Sequence, residues 1–322
     1  MQYRNMGRTG LKVSTICLGT MTYGAQVEEA EAIKLILRAR EGGVNFFDTA
    51  NAYVQGKSEE VLGKALKDDR DSAVIATKVS LRSGEDVNNS GLSRKHILKR
   101  VEDSLRRLGT DYIDLYYAHM PDKNTPIEET LRAFDDLVRQ GKIRYIACSN
   151  FHAWRLCKAL WVSDVRNLAR LDCIQSPYNL ITRDIEYELL PLCENEGVGL
   201  TAYNPLAAGL LTGKHDPTKP PAEGTRFALA KGYKMRYWSD LNFEAVADLS
   251  KIAKQNNRSM AQFALAWILG NKTVTSAICS ATSMKQLEEN LGASELELTE
   301  EEIAGCDEVW QKLRPARFFY AR

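Results

Sequence analysis

Short apolar runs recur along this chain, and each stops at a polar side chain. Ile16-Cys17-Leu18-Gly19 opens the series. Val44 to Phe47 follows and ends in Asp48. Residues 73–77 end in Lys78, residues 113–118 in His119, and residues 145–148 in Ser149-Asn150. Cys173-Ile174 ends in Gln175, residues 199–202 in Tyr203, and residues 275–279 in Ser280. Runs this short, bounded by turn residues, predict buried strands. Between them the spacing turns helical. Residues 30–40 place Ile33, Ile36, Leu37 and Ala39 on one face. Further helices are predicted over 58–66, from a Ser93 cap to 108, over 126–140, over 153–165, and in a segment ending at Glu196-Gly197. Others follow over 243–255, 260–269, from about 283, and over 300–311. Pro126 suits a first helical turn, where its missing N–H has no partner to lose. Residues 2–15 alternate around Gly7-Arg8-Thr9-Gly10 and predict a hairpin ahead of the repeat.

Eight strand–helix units with no two strands adjacent after the hairpin predict a parallel sheet. Eight of them predict closure into a (β/α)8, or TIM, barrel of the α/β class. No linker or composition shift divides the chain, so residues 1–322 are expected to form a single domain. Such a barrel needs roughly 250 residues. The surplus lies in two places. A Gly/Pro-rich stretch, 207–240, follows the seventh strand and is longer than a connection requires, so it is expected to be a lid or binding loop. The final segment carries a helix and an aromatic, basic tail, 315–322, expected to cover the barrel mouth or a neighbouring subunit.

Composition narrows the function. The chain has 43 basic and 42 acidic residues, a net charge of +1, which gives no pull toward nucleic acid or anionic membrane. No apolar run approaches the roughly 20 residues of a membrane span. Met1-Gln2-Tyr3-Arg4-Asn5 contains no apolar signal region, so a cytoplasmic location is expected. The seven cysteines are odd in number, widely spaced and form no C-x-x-C, as expected of reduced thiols. His96, His152 and His215 share no metal-ligand spacing with acids or cysteines, so no metal is expected.

A barrel of this type builds its active site where the strands end. Asp48, Lys78 and His119 all stand at such exits, and Tyr53 lies in the loop five residues beyond Asp48. Their chemistry is coherent. A free tyrosine ionises near pH ~10, too high for a good acid at neutral pH. A nearby Lys78 ammonium is expected to lower that value, with Asp48 holding the ammonium charged. His119 is expected to hydrogen-bond a substrate carbonyl and share in proton movement. The set suits an oxygen that gains negative charge. Each residue alone has an ordinary reading: an ion pair, a packing aromatic, a hydrogen-bonded histidine, a backbone cap. Their shared position at strand exits argues for function.

The same residues sit in longer matching blocks. They include Leu18-Gly19-Thr20, Phe47-Asp48-Thr49-Ala50 with the Tyr53 loop, and Thr77-Lys78. Gly91-Leu92-Ser93-Arg94-Lys95, Ser149-Asn150-Phe151 and Tyr203-Asn204-Pro205-Leu206 follow. The last are Gly209 to Lys214 and Gln286-Leu287-Glu288-Glu289-Asn290-Leu291-Gly292. In this order they resemble the aldo-keto reductase superfamily along almost the whole chain, most of all its bacterial branch related to potassium-channel β subunits. The resemblance implies reduction of an aldehyde or ketone to an alcohol, reversibly, with Tyr53 as general acid and Asp48, Lys78 and His119 completing a tetrad. It implies NADPH rather than NADH, lying extended across the barrel mouth without a Rossmann fold. The chain indeed has no G-x-G-x-x-G, and Gly209 to Lys214 is one residue short of a P-loop.

Carried over by position, Ser149, Asn150 and Gln175 would bind the nicotinamide carboxamide and Tyr203 would stack on the ring. Pro205, Leu206 and Lys214 would border the pyrophosphate, with Arg226 as a further phosphate partner. Ser280 to Thr282 and the helix start after them would meet the 2′-phosphate, for which free N–H groups and the helix dipole are suited. Gln286, Glu289 and Asn290 would lie on the adenosine side. Thr20, Met21, Gln26, Asp48, Asn204, Ala207 and Gly209 complete the implied cofactor set. Two departures stand out: Cys279-Ser280 where relatives commonly have Pro-Gly, and Asn204 in place of a more usual serine. The substrate, a small carbonyl compound, would be chosen by residues 21–26, 120–125, the long loop and the tail, with Tyr23, Phe151 and Phe318 as candidate contacts. Two other readings stand beside this one. The first is a cofactor-binding regulatory or partner-binding protein with slow turnover, as channel β subunits are. The second is a Schiff-base lyase using Lys78, which Asp48 disfavours by keeping the amine protonated. A homo-oligomer is left open.

Overall fold

The computed structural model of the chain describes residues 1–314. The tail 315–322, including Phe318, lies outside the described residues. Strands β1 (Tyr3–Asn5) and β2 (Lys12–Ser14) pair antiparallel with Tyr3 opposite Ser14. Their turn needs a glycine. Gly7 has φ +55°, and a Cβ there would lie 2.3 Å from the Gly197 carbonyl oxygen. The close approach seats the hairpin beneath the barrel, with Met6 and Val13 fully buried against its interior.

Eight parallel strands then close on themselves: β3 (Ile16–Gly19), β4 (Phe46–Asp48), β5 (Val74–Val79), β6 (Ile113–Ala118), β7 (Ile143–Ser149), β8 (Leu171–Pro177), β9 (Gly199–Tyr203) and β10 (Val274–Cys279). Neighbours pair in sequence order, and β10 returns to β3. The expected TIM barrel is what forms. Helices ring it: α1 (Glu29–Glu41), α2 (Lys57–Leu66), α3 (Arg94–Leu108), α4 (Ile127–Arg139), α5 (Ala153–Arg166) and α6 (Leu189–Glu196). Ser93 caps α3 by accepting from the His96 N–H.

Alternation along each strand decides what faces the axis. Phe46, Ala76, Leu115, Tyr117, Ala147 and Cys173 form the interior cluster. Phe47, Ile75, Tyr116, Ile146 and Ile174 pack outward against the helices. Counting on by two from the inward set gives Asp48, Lys78, His119, Ser149 and Gln175. The polar exits therefore belong to the inward parity and meet above the apolar interior.

Beyond β9 the chain departs from expectation. Residues 207–240 are not an open loop. They fold as a 3-10 turn (Ala207–Thr212), then α7 (Arg226–Leu229) and α8 (Lys231–Tyr237). Edge-to-face rings hold them: His215 on Phe227 at 5.0 Å, Phe227 on Trp238 at 5.1 Å, and Trp238 on Phe243 at 5.0 Å. Pieces shorter than about two turns carry no readable period, and an aromatic cluster does their ordering instead. The helix α9 (Asp240–Gln255) starts earlier than expected because Ser239 caps it. The chain continues through α10 (Met260–Gly270), α11 (Met284–Gly292) and α12 (Glu300–Leu313), the last opened by a Thr299–Glu302 capping box. Strand β8 is longer than the two residues expected. Asp172 and Gln175 interrupt its apolar run, but pairing with β7 and β9 on both sides holds it extended. An unexpected 3-10 segment, Lys67–Ser72, joins α2 to β5.

Candidate active site

Inward parity puts Asp48 at the end of β4 and Lys78 near the end of β5, both buried. The Lys78 ammonium has three N–H groups, and each is directed. One donates to Asp48 Oδ1 at 2.5 Å, one to the Thr49 carbonyl at 2.7 Å, and one to the Tyr53 hydroxyl at 3.4 Å. Asp48 Oδ2 accepts from Gln175 Nε2 at 2.9 Å. The His119 ring stands edge-on to Tyr53, centroids 5.7 Å apart at 83°. The three residues at strand exits and Tyr53 from the loop thus converge on one point.

Tyr53 reaches that point through a costly piece of backbone. Val54, Gln55 and Gly56 follow one another with φ +47°, +56° and +95°. A β-branched residue in the left-handed region is strained and must be held by its surroundings. The support lies behind the turn. Gly56 packs on the Arg107 side chain, so close that a Cβ would lie 2.7 Å from Cδ. Arg107 Nε donates to Glu59 Oε2 at 2.6 Å, and Glu59 Oε1 accepts from Thr77 Oγ1 at 2.5 Å. Thr77 precedes Lys78. One buried carboxylate therefore ties the Tyr53 turn to the Lys78 strand. Nothing in the sequence pattern marks Glu59 as more than a helix-surface acid; its burial is a tertiary fact.

The electrostatics correct one expectation. Burial pushes the Tyr53 phenol above its ordinary value, and Lys78 pulls back only in part. The hydroxyl is protonated at neutral pH, as a proton donor must be. Burial also pulls Lys78 down, but Asp48 and then Tyr53 outweigh it and raise the ammonium's pKa. His119 is driven down to about 3, chiefly by burial and then by the Lys78 charge. A neutral imidazole can donate a hydrogen bond to a carbonyl. A cationic role in proton transfer at neutral pH is not available to it.

A groove of about 960 Å³ runs from this cluster across the barrel mouth. At the tetrad end, Ser149 Oγ donates to the Gln175 carbonyl at 3.0 Å. Asn150, held at φ +62°, donates from Nδ2 to the His119 carbonyl at 3.0 Å and accepts at Oδ1 from the Tyr203 hydroxyl at 2.8 Å. Asn204, Pro205, Leu206, Gly209, Lys214 and Arg226 line the middle. Asn204 Nδ2 is buried with no partner among the described residues. Ser280, Thr282, Gln286, Glu289 and Asn290 line the far end, facing Met21 and Gln26. Gln286 Oε1 accepts from the Thr282 N–H at 2.9 Å, and Asn290 Nδ2 donates to the Ser280 carbonyl at 3.4 Å. Gln26 Nε2 donates to the Gly224 carbonyl at 2.9 Å, a tie across the groove.

Four expected contacts are elsewhere. Thr20 is buried outside the groove lining, its hydroxyl donating to the Asp48 carbonyl at 3.1 Å. Ala207 is fully buried, and Ala208 takes the lining position. Tyr23 is buried with its hydroxyl on the Ala281 carbonyl at 3.1 Å, and Phe151 is buried beneath Arg155. Neither is among the lining residues. Conversely, Leu81 lines the groove without having been expected, and Tyr233 and Arg236 line it as unnamed members of the stretch expected to be a binding loop. The last two lie on α8, in the stretch with no readable period. Among the described residues no group of His, Cys, Asp or Glu could hold a metal ion, and no helix is long and apolar enough to cross a membrane.

Comparison with known proteins gives the site a context. The aldo/keto reductase family model matches residues 15–311. A probable voltage-gated potassium channel subunit beta of Arabidopsis thaliana is 40% identical over 300 residues, covering 91% of this chain and 91% of that protein. A protein of the same description from Oryza sativa subsp. japonica has the same identity and coverage. A putative voltage-gated potassium channel subunit beta of Schizosaccharomyces pombe is 39% identical over 318 residues, 95% of this chain and 92% of that one.

Proposed function

This chain belongs to the aldo/keto reductase family, and on that premise we propose that it is a cytoplasmic enzyme that reduces an aldehyde or ketone to an alcohol with NADPH, reversibly. One observation carries the reading. A protonated tyrosine touches a lysine whose other two N–H groups are fixed by Asp48 and Thr49, with a neutral imidazole edge-on, at the end of a long groove.

The groove fits the cofactor. Its volume is at the upper end of small-molecule sites, which run to about 1,000 Å³. Lys214, Arg226 and Arg236 line it with no ion-pair partner among the described residues, and Asn204 Nδ2 is a buried donor awaiting an acceptor. Ser149, Asn150 and Gln175 would hold the carboxamide and Tyr203 the ring face. Lys214 and Arg226 would meet the pyrophosphate beside Pro205 and Leu206, with Asn204 and Gly209 close by. Ser280, Thr282 and the start of α11 would meet the 2′-phosphate, and Gln286, Glu289 and Asn290 the adenosine, with Met21 and Gln26 above. When bound, the dihydronicotinamide supplies hydride to the carbonyl carbon.

The chain's own residues do the rest. His119 donates a hydrogen bond that orients the carbonyl oxygen. The Tyr53 O–H delivers its proton to that oxygen as negative charge develops there. The phenolate left on Tyr53 is stabilised by the Lys78 ammonium, which Asp48 and Thr49 hold from moving away. In the reverse direction the same phenolate accepts the proton of an alcohol.

The likeness to proteins described as potassium channel beta subunits favours a second reading, a cofactor-binding regulatory or partner-binding protein with slow turnover. The complete tetrad supports the enzyme. Tyr53→Phe should cut the single-turnover rate of NADPH oxidation with a reactive aldehyde by at least about 100-fold. A rate near wild type removes Tyr53 from its role. Tight NADPH binding with negligible turnover across an aldehyde panel favours the regulatory reading.

A further inference from the structure

The carbonyl-reduction reading leaves two groove residues without a task. Tyr233 and Arg236 sit three residues apart on α8, so they share a helix face. The Tyr233 ring lies near two guanidiniums, Arg226 at 5.5 Å and Arg236 at 5.7 Å from its centroid. Arg236 also lies 6.0 Å from the Tyr237 ring. Many arginines outside the groove end on acids, as Arg107 does on Glu59 and Arg183 on Glu186 and Asp307, or on backbone carbonyls, as Arg4 does. Arg236 ends on aromatic faces, with no carboxylate partner among the described residues.

Its place along the groove is the second observation. Tyr233 and Arg236 line the same groove as Tyr53 and His119, and the Arg236 charge bears on Tyr203, whose hydroxyl reaches Asn150 beside His119. That is the reacting end. The acids lining the groove do not neutralise it. Asp48 is held by Lys78 and Gln175. Glu223 adjoins the Gly224 tie to Gln26, and Glu289 is on α11 at the far end. Lys214 and Arg226 suffice for a pyrophosphate. Arg236 is a cation left over where a substrate would sit.

Building on the carbonyl-reductase reading, we propose that Arg236, with the Tyr233 hydroxyl, binds a carboxylate on the substrate, so that this protein prefers aldehydes or ketones bearing an anionic group a few bonds from the carbonyl. A guanidinium offers two parallel N–H groups in the geometry of a carboxylate, and a neutral aldehyde leaves them unused. Leu81 and Met120, which line the same groove, would supply apolar surface for the intervening carbons.

The test uses matched probes: 4-carboxybenzaldehyde against benzaldehyde, and 5-oxopentanoate against pentanal, with full-length protein and saturating NADPH. The charged member of each pair should show at least about tenfold higher kcat/KM, the size expected of one charge-assisted contact. Arg236→Ala should remove most of that preference, chiefly through KM, and Arg236→Lys should restore part of it. NADPH affinity, read by fluorescence titration, is the control. A preference near one in the wild type, or one unchanged by Arg236→Ala, overturns the proposal and leaves the reductase reading intact. So does a preference unchanged while NADPH affinity falls about tenfold, because Arg236 would then hold a cofactor phosphate. If the protein binds NADPH and reduces none of the four aldehydes, both readings fall.

Discussion

Glu59→Gln tests whether the active-site turn is held from behind. Glu59 is fully buried, accepting from Thr77 Oγ1 at 2.5 Å and from Arg107 Nε at 2.6 Å. Glutamine can still accept from Thr77, but then it points an N–H group at the guanidinium. Breaking a buried ion pair from one side costs about 3–5 kcal/mol. The Arg107 side chain keeps 20% exposure, and water there recovers part of the loss, so about 2–3 kcal/mol is expected. For a chain of this size that lowers the melting temperature by roughly 3–5 °C. Arg107 also supports Gly56, so the Tyr53 turn should loosen and single-turnover NADPH oxidation should slow by about tenfold, with NADPH affinity little changed. The double variant Glu59→Gln/Arg107→Leu separates the causes, because removing both charges leaves no buried ion unpaired. It should melt above the single variant. A single variant that melts within a degree of wild type would show that the pair does not brace the turn; a double variant that melts lower still would show that the cost lies in lost Arg107 packing on Gly56 and not in an unpaired ion.

Other expectations follow from the same structure. With His119 held at about 3, it is charged only at pH values below that. The reductive rate should therefore show no acid-side inflection near pH ~6.5, and an inflection that disappears in His119→Asn would contradict the neutral imidazole. Tyr53 lies above its ordinary value. Reduction should accordingly persist past the ordinary phenol range, about pH 10, before falling as the phenol ionises, while alcohol oxidation rises as it falls; a fall near neutrality is the adverse result. Asp172 is raised to about 6 by burial, against partial relief from Arg8 and Arg170. For an acid raised on folding, the penalty is absent below its unfolded value near ~4 and complete above the folded one. Asp172→Asn should then raise the melting temperature at pH 8 by an amount worth about 3 kcal/mol and leave it unchanged at about pH 3. Gln26→Ala removes the tie to Gly224 across the groove. Stopped-flow displacement should show NADPH leaving several-fold faster, and an unchanged rate would mean that the tie does not restrain it.

The sequence carries the barrel because each strand announces itself by an apolar run and each exit by its polar end. Parity does the rest. Once Phe46 faces inward, Asp48 must as well, and pairing of β4 with β5 sets Ala76 beside Asp48 and so brings Lys78 to the same mouth. That chain of steps needs only alternation and neighbour order, and both are local. What local pattern cannot carry is any feature fixed by a distant partner. Val54 and Gln55 are not residues that advertise a left-handed turn. They adopt it because Arg107, one strand–helix unit further along the chain on α3, fills the space behind Gly56. Tyr233 and Arg236 reach the groove because rings from three separate segments lock α7 and α8 in place.

The Tyr53 acidity shows the same limit in energetic form. A cation beside a phenol reads as a lowered pKa, and the cation is there, 3.4 Å away. But the depth that brings Lys78 into contact also strips water from the phenolate, and that loss exceeds the attraction. The balance has a mechanistic consequence. In the reductive direction a proton donor gains nothing by ionising before the substrate arrives. An ammonium with two of its N–H groups already bound to Asp48 and Thr49 need not reorganise to receive the charge when it forms. Lys78→Met would remove that reception while sparing the apolar stem, so it should slow hydride-coupled reduction far more than it weakens NADPH binding. Equal losses in both would mean that Lys78 shapes the pocket and does not stabilise the phenolate.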